Sequence, residues 1–209
     1  MTPNVWFLMG LDMTGEDDPF QEIVGATVIL APGIGIGKNK YLSWGYTTCK
    51  SDSQDYFEMV NTDDATGYIW NGTVLEYERR NTTILVKDAP SVTAELIFSR
   101  YGPVTIDDGS YYSLAWSAFS STDNSPQALV DSNKATNLQE WRDSMAKWNS
   151  LLFNAAYGDN EGNFGLQVVG LIPIRAEGAF GYAPQPGDGN WDWRGMDLLL
   201  SLSSVSSSF

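Results

Sequence analysis

Residues 153–169, FNAAYGDNEGNFGLQVV, contain the clearest structural signal in the chain. The segments 153–157 and 164–169 are apolar, aromatic and β-branched, which is typical of strands. Between them, residues 159–162 (DNEG) are of the types that end a strand and reverse the chain. The stretch therefore predicts two strands joined by a short turn.

Similar patterns lie on both sides of this hairpin. Further strands are predicted at 5–9, 23–30, 38–44, 68–70, 74–77, 82–86, 92–98 and 171–174. The turn between the first two is expected to use Gly15, Asp17, Asp18 and Pro19. One helix is predicted at 138–148, because its apolar residues recur at helical spacing and Thr136 and Gln139 have the spacing of a capping box.

The charge of the chain excludes several kinds of partner. Its 209 residues include 12 Lys and Arg against 26 Asp and Glu, a formal net charge of −14. A negative surface repels nucleic-acid phosphates and anionic lipids. The longest apolar runs also fall short of the ~20 residues that a membrane helix needs. We therefore expect neither nucleic acid nor a membrane as a partner.

The lack of histidine restricts the possible chemistry. The sequence has no histidine and a single cysteine, Cys49. Ser-His-Asp triads, Cys-His pairs and histidine zinc sites are therefore excluded for this chain alone. What remains is chemistry based on carboxylates, hydroxyls, amides, an amine terminus or an oxygen-bound cation such as calcium.

An acidic cluster, DSQD at 52–55, follows a predicted strand. Two carboxylates and an intervening backbone carbonyl are ligands that calcium prefers, although the run lacks the spacing of an EF-hand loop. The same residue types cap ordinary turns. From these residues alone, a metal site and a capped turn both remain open.

A series of short motifs extends over roughly residues 3–195. In chain order they are GAT at 25–27, PGIGIGKN at 32–39, SWGYT at 43–47, Asp52, Asp55 and Phe57, WNG at 70–72, RYGPV at 100–104, the helix around Trp141, NAAYGDNEGNFG at 154–165, GLIPIR at 170–175, PQPG at 184–187 and DWRG at 192–195. In these motifs the chain resembles the penicillin acylase (penicillin amidase) family of N-terminal-nucleophile hydrolases. The resemblance implies an α+β fold, part of a four-layer αββα sandwich with two sheets between helices.

The resemblance also implies a mechanism and a set of site residues. In the family, a serine exposed by autocatalytic cleavage attacks an amide and uses its own α-amine as the base. An asparagine side chain and one backbone amide form the oxyanion hole, and they correspond here to Asn154 and the backbone of Thr48. The arginine near the nucleophile corresponds to Arg175. The family's calcium ligands correspond to Asp52, the carbonyl of Gln54, and Asp55.

The nucleophile of the family has no counterpart in this sequence. The family's large chain begins with Ser-Asn-x-Trp, whereas Ser132 and Asn133 are followed here by Lys134 and Ala135. We therefore expect a missing nucleophile segment and a missing small chain, and no activity from the isolated chain. The implied parent activity is hydrolysis of linear amides, with a small-molecule penicillin-like or N-acyl substrate, a link to antibiotic metabolism and a periplasmic or secreted location.

The motifs divide the chain into an interrupted sandwich. Residues 1–57 and 121–197 are assigned to the hydrolase sandwich, 58–120 to an inserted β-rich subdomain, and 198–209 to a low-complexity Ser-rich tail. One alternative function remains open. Eight tryptophans, ten tyrosines and an acidic surface also suit a non-catalytic β-rich module that binds carbohydrate by stacking.

Overall fold

β-Strands dominate the structure. The computed structural model describes residues 5–12, 22–198 and 202–206, with 47% strand and 11% helix. The strands are β1 (Trp6–Asp12), β2 (Glu22–Val28), β3 (Ile36–Lys38), β4 (Leu42–Thr48), β5 (Gln54–Glu58), β6 (Gly67–Trp70), β7 (Thr73–Glu76), β8 (Glu78–Ile84), β9 (Val92–Phe98), β10 (Val104–Asp107), β11 (Ser110–Trp116), β12 (Phe153–Asp159), β13 (Asn163–Val169), β14 (Leu171–Ile174), β15 (Gln185–Pro186), β16 (Gly195–Leu198) and β17 (Leu202–Ser206). The helices are α1 (Ser125–Lys134) and α2 (Leu138–Met145). The α+β prediction is confirmed, and the predicted turn residues Gly15, Asp17, Asp18 and Pro19 lie outside the described residues.

The chain divides into two units. Unit 1 comprises Met1–Ser51, Ser120–Ile172 and Leu198–Phe209, and unit 2 comprises Asp52–Phe119 and Pro173–Asp197. This division differs from the one predicted, which assigned 52–57 and 173–197 to the sandwich. The Ser-rich tail also belongs to unit 1, because its strand β17 pairs with β13.

Unit 1 is built on a seven-stranded sheet. Its strand order is β1-β2-β3-β4-β12-β13-β17, and every neighbouring pair is antiparallel. Because side chains alternate between the two faces of a strand, one face carries the buried residues Trp44 and Tyr157, which lie opposite each other on β4 and β12. Trp141 of α2 covers this face, with its ring centroid 4.7 Å from that of Tyr157.

Helix α2 begins at the predicted residue but ends three residues early, at Met145. The capping box is also displaced by one residue. Asn137 accepts a hydrogen bond from the backbone N–H of Glu140, and the Glu140 carboxylate accepts one from the backbone N–H of Thr136. Polar groups at the helix start are thereby satisfied reciprocally.

Helix α1 was not predicted from the sequence. Its buried residues include only two apolar ones, Ala128 and Leu129, beside three polar ones. The polar Asn133 is 3% exposed, and its side chain accepts a hydrogen bond from the N–H of Ile34 and donates one to the carbonyl of Ile34. The helix is therefore held to the loop before β3 by an amide side chain, which a hydrophobic pattern does not reveal.

Unit 2 contains a four-stranded sheet and two hairpins. The sheet order is β10-β11-β5-β15, and the hairpins are β6-β7 and β8-β9. The core of this unit consists of the buried residues Phe57, Met59, Tyr68, Tyr77, Ile97 and Ala115. Within it, Phe57 stacks on Tyr101 with ring centroids 4.2 Å apart.

Neither described helix could cross a bilayer, since none within the described ranges reaches the length and apolarity of a membrane span.

Candidate functional site

The second face of the unit 1 sheet is the open one. Strands β4, β12 and β13 alternate between buried and more exposed residues, and the exposed members include Ser43, Ala156, Phe164 and Leu166. Small residues on this face leave a shallow depression. The depression, of about 400 Å³, lies over the β4, β12 and β13 segment, with Gly45 and Ala156 among the residues that line it.

Asn154 is the second residue of β12, and its side chain lies on this open face. It pairs with Thr47 of β4 on one side and with Val168 of β13 on the other. Its Nδ2 donates to the Thr47 hydroxyl over 3.3 Å and to the Thr48 carbonyl over 3.4 Å. Both hydrogen bonds are long, so the carboxamide is oriented across the two strands without being strongly engaged.

The backbone N–H of Thr48 points away from β12. In antiparallel pairs, hydrogen-bonded and non-hydrogen-bonded positions alternate. The N–H of Cys49 donates to the carbonyl of Leu152, so that pair is hydrogen-bonded, and the next pair, Thr48 opposite Phe153, is not. Strand β3 pairs with β4 only at Ser43 and Trp44, before Thr48 is reached. The Thr48 N–H is thus left outside both ladders.

Two of the predicted catalytic residues are therefore brought together. Asn154 and Thr48 lie on paired strands of unit 1, joined by the 3.4 Å contact. An amide side chain beside a backbone N–H that is outside the ladder is an arrangement that can donate hydrogen bonds to a developing oxyanion. Their catalytic roles stay predictions.

The third, Arg175, lies in unit 2 together with the three predicted metal ligands. Its guanidinium forms a two-pronged ion pair with Asp55, Nε to Oδ2 at 2.9 Å and Nη2 to Oδ1 at 3.1 Å. The same Nη2 is 2.9 Å from Oδ2 of Asp52. Trp193 donates its indole N–H to Asp55 Oδ2 over 2.6 Å. These four side chains form what we term the Asp55 cluster.

The Asp55 cluster does not fit a calcium ion as arranged. Calcium takes six to eight oxygen ligands. Both Asp55 oxygens already accept hydrogen bonds from Arg175, and the guanidinium carries a positive charge within 3 Å of both carboxylates. Among the residues described, there is also no group of three or more acidic, Cys or His side chains that could hold a metal. Calcium at Asp52, Gln54 and Asp55 stays a prediction, which this geometry disfavours.

Ser132 and Asn133, considered above for the nucleophile start, are both buried. The Ser132 hydroxyl donates to the carbonyl of Leu129 over 2.9 Å. Asn133 is occupied with Ile34. Neither side chain is available to attack a substrate.

Sequence reasoning missed two residues of the Asp55 cluster and its surroundings. Trp193 belongs to the DWRG motif, which assigns it no role, and no sequence pattern marks Gly181. A Cβ at Gly181 would overlap Oδ2 of Asp52 and approach Nη2 of Arg175 to 2.6 Å. The local sequence around Trp193 and Gly181 does not indicate that these residues contact Asp55 and Asp52, which lie far away in the chain.

A second carboxylate in unit 2, Asp192, also has several partners. It accepts hydrogen bonds from the Trp70 indole at 3.0 Å and the Tyr101 hydroxyl at 2.5 Å. Arg100 lies 3.5 Å from the same carboxylate and 3.5 Å from the Trp70 ring centroid. Burial, followed by the hydrogen bond to Asp192, raises the pKa of Tyr101, so this phenol stays protonated. The arrangement joins β6 to the 191–195 segment.

Comparison with known proteins places these features in a family. A penicillin amidase family model matches residues 1–201. Penicillin G acylase of Escherichia coli is 31% identical over 200 residues, which are 93% of this chain and 23% of that protein. An acyl-homoserine lactone acylase, QuiP, of Pseudomonas syringae pv. syringae is 29% identical over 191 residues, covering 87% of this chain and 23% of that protein.

A solved structure has the same fold. Thermostable penicillin G acylase from Alcaligenes faecalis superposes with a TM-score of 0.81 and 26% sequence identity, over 94% of this chain and 36% of that chain. The chain belongs to the penicillin amidase family, and its fold is that of the N-terminal-nucleophile hydrolases. It spans about a quarter of the length of the curated relatives above.

Proposed function

We propose that this chain forms the oxyanion-binding part of an amidohydrolase that cleaves linear N-acyl amides. Family membership supports amide hydrolysis as the general activity. The relatives are named as acylases of penicillin G and of acyl-homoserine lactones, which share an acyl group on an amide nitrogen. The substrate class proposed for the complete enzyme is accordingly a small N-acyl compound, with penicillin-like molecules as one member.

A single structural observation supports this proposal most directly. Asn154 and Thr48 lie on paired strands, with the carboxamide on the open face and the Thr48 N–H outside the ladder. Fixed donors of this kind stabilise the charge that develops on a carbonyl oxygen under attack, and they need no reorganisation during the reaction. Thr48 would act through its main chain, so its side chain can vary.

The attacking group is proposed to come from outside the described residues. The sequence has no histidine that could activate a serine, and Ser132, which was considered for the nucleophile, is buried. We propose an N-terminal serine whose α-amine is the base, supplied by a nucleophile segment and accompanied by a small chain. The 209-residue chain alone is then inactive.

The experiment is a segment exchange. Residues 1–201, which match the family model, replace the corresponding segment of the E. coli penicillin G acylase, and the chimera is tested for processing and for hydrolysis of a chromogenic phenylacetyl amide. Asn154→Ala in a processed chimera should lower kcat by ~10²–10³-fold while leaving KM nearly unchanged, because the lost hydrogen bond forms chiefly in the transition state.

Two matched variants make the result specific. Asn160→Ala removes an exposed amide from the β12-β13 turn and should leave kcat unchanged. Thr48→Ala should also have little effect, because the backbone donor survives. Normal turnover by a folded, processed Asn154→Ala chimera would reject the proposed role of Asn154 and the alignment of the 153–165 segment with it.

The carbohydrate-binding alternative gains no specific support. Many of the aromatic residues on which that alternative depends pack in the cores of the two units. Trp44 and Trp141 are buried in unit 1, and Trp191 and Trp193 pack against the core of unit 2.

A further inference from the structure

Asp55 is a carboxylate inside the core face of a strand. Residues of β5 alternate between exposed and buried, and Asp55 and Phe57 are the two buried ones. Asp55 is 4% exposed, and Phe57 belongs to the hydrophobic core of unit 2. A buried carboxylate is strongly disfavoured unless it is paired with a positive charge and hydrogen-bonded. The fold must therefore supply a cation at this position.

Arg175 meets this requirement in full. A guanidinium presents parallel N–H groups that match the two oxygens of a carboxylate, which is the geometry observed at Asp55. Trp193 adds a third donor at 2.6 Å. Nη2 of the guanidinium also contacts Asp52, at 2.9 Å from its Oδ2 and 3.4 Å from its backbone carbonyl oxygen.

The neighbouring backbone is adapted to this ion pair. Gly181 lies so close to Asp52 and Arg175 that a methyl group there would overlap the carboxylate oxygen. The absence of a side chain at Gly181 lets the 176–182 segment close over the pair. Within the cluster, Asp55 is thus buried and Arg175 is mostly covered, whereas the Asp52 side chain is 54% exposed.

We propose that Arg175 is the built-in cation of the Asp55 cluster, in place of calcium, so that Asp52 and Asp55 bind no divalent ion in this chain. A calcium ion beside these oxygens would face the guanidinium charge at short range and would have to displace its hydrogen bonds. The role of Arg175 is then structural, to neutralise Asp55 and to hold the 173–197 segment against β5. This inference is independent of the proposed amidohydrolase activity.

The first test uses the unmodified 209-residue chain. Its Tm is measured in chelator and in ~10 mM calcium, a concentration that saturates even weak extracellular calcium modules. Terbium, a luminescent substitute for calcium, is titrated in parallel, because the Trp193 indole beside Asp55 would sensitise its emission. We expect no Tm shift and no sensitised emission. A calcium-dependent rise in Tm, or terbium emission, that Asp52→Asn abolishes would overturn the proposal.

The second test removes the cation. Arg175→Met should lower Tm on the order of 10 °C, because it leaves Asp55 buried and unpaired. The control is Arg80→Met, which removes an arginine of the same unit whose ion pair with Glu78 is more than half exposed. That control should shift Tm by ~1 °C or less.

A neutral double variant separates loss of charge balance from loss of packing. Asp55→Asn with Arg175→Gln removes both charges together, so it should melt above Arg175→Met even if the single variant barely folds. The proposal is wrong if Arg175→Met melts like Arg80→Met, or if the double variant is no more stable than the single one.

Discussion

Replacing Asn133 by alanine tests the attachment of α1 to the unit 1 sheet. The side chain is 3% exposed, and it pairs with both backbone groups of Ile34, a residue that is 0% exposed. The two distances are 2.7 Å from the Ile34 N–H to Oδ1 and 3.0 Å from Nδ2 to the Ile34 carbonyl. Alanine would leave the buried Ile34 N–H without this partner, whereas the Ile34 carbonyl would keep a long hydrogen bond from the Trp44 indole N–H, at 3.4 Å.

The expected loss follows from the cost of each group. A buried polar group that loses its partner costs about 1–3 kcal/mol, so we expect a loss of about 1–3 kcal/mol, chiefly from the Ile34 N–H, because the carbonyl keeps the Trp44 indole as a donor. Equilibrium urea unfolding of the 209-residue chain measures this as a lower midpoint at an unchanged slope. Lys134→Ala, at the exposed next residue, is the control and should change the unfolding free energy by less than ~0.5 kcal/mol. A loss below ~1 kcal/mol in Asn133→Ala would refute the claim that this amide holds the helix.

Three further outcomes are expected. Glu140→Ala should cost ~1 kcal/mol in urea unfolding through loss of the cap at α2, whereas Gln139→Ala should cost little; equal losses would contradict the assignment of the cap. Hydrogen bonds from Gln127 to Asp131 and from the Thr136 backbone to Glu140 hold the pKa values of these carboxyls below their ordinary range, so their stabilisation is complete above about pH 4–5 and is lost as pH falls through the folded-state values. The urea concentration at the unfolding midpoint should therefore decrease as the pH is lowered below about 4. The decrease should be less steep in the variant with Asp131→Asn and Glu140→Gln; identical pH profiles would contradict this. Gly25→Ala should lower Tm by several degrees, because a methyl group there would overlap the backbone of Ile36 and Gly37, whereas Gly10→Ala, where a methyl group would make only an ordinary 3.8 Å contact, should not; equal melting would contradict the close approach of β2 and β3 at Gly25.

Local signals were sufficient for much of unit 1. The β12-β13 hairpin was predicted because the strand pattern and the 159–162 turn agree with each other. The start of α2 was predicted for a similar reason, although the capping pair is Asn137 and Glu140 and not Thr136 and Gln139. Where periodicity and end signals coincide, tertiary contacts had little to add.

Other features depend on contacts that no local pattern contains. Helix α1 is stabilised by the Asn133 amide, whose partner Ile34 is 99 residues away in sequence. Arg175 and Asp55 are separated by 120 residues, and an isolated arginine gives no indication of its partner. The tail strand β17 was missed because a Ser-rich composition predicts a linker, while its pairing depends on the free edge of β13.

The pairing of β12 with β4 has a consequence for how the chain tolerates insertions and deletions. Asn154 and Tyr157 are three positions apart, so their side chains lie on opposite faces of β12, Asn154 on the open face and Tyr157 on the buried one. A shift of one residue exchanges the two faces of a strand. One residue inserted between these two residues would turn Asn154 towards the core or Tyr157 towards solvent. One residue added to the 159–162 turn would leave both in place, because β4 sets their register. Length variation among related chains should therefore be concentrated in this turn and excluded from the three residues that follow Asn154.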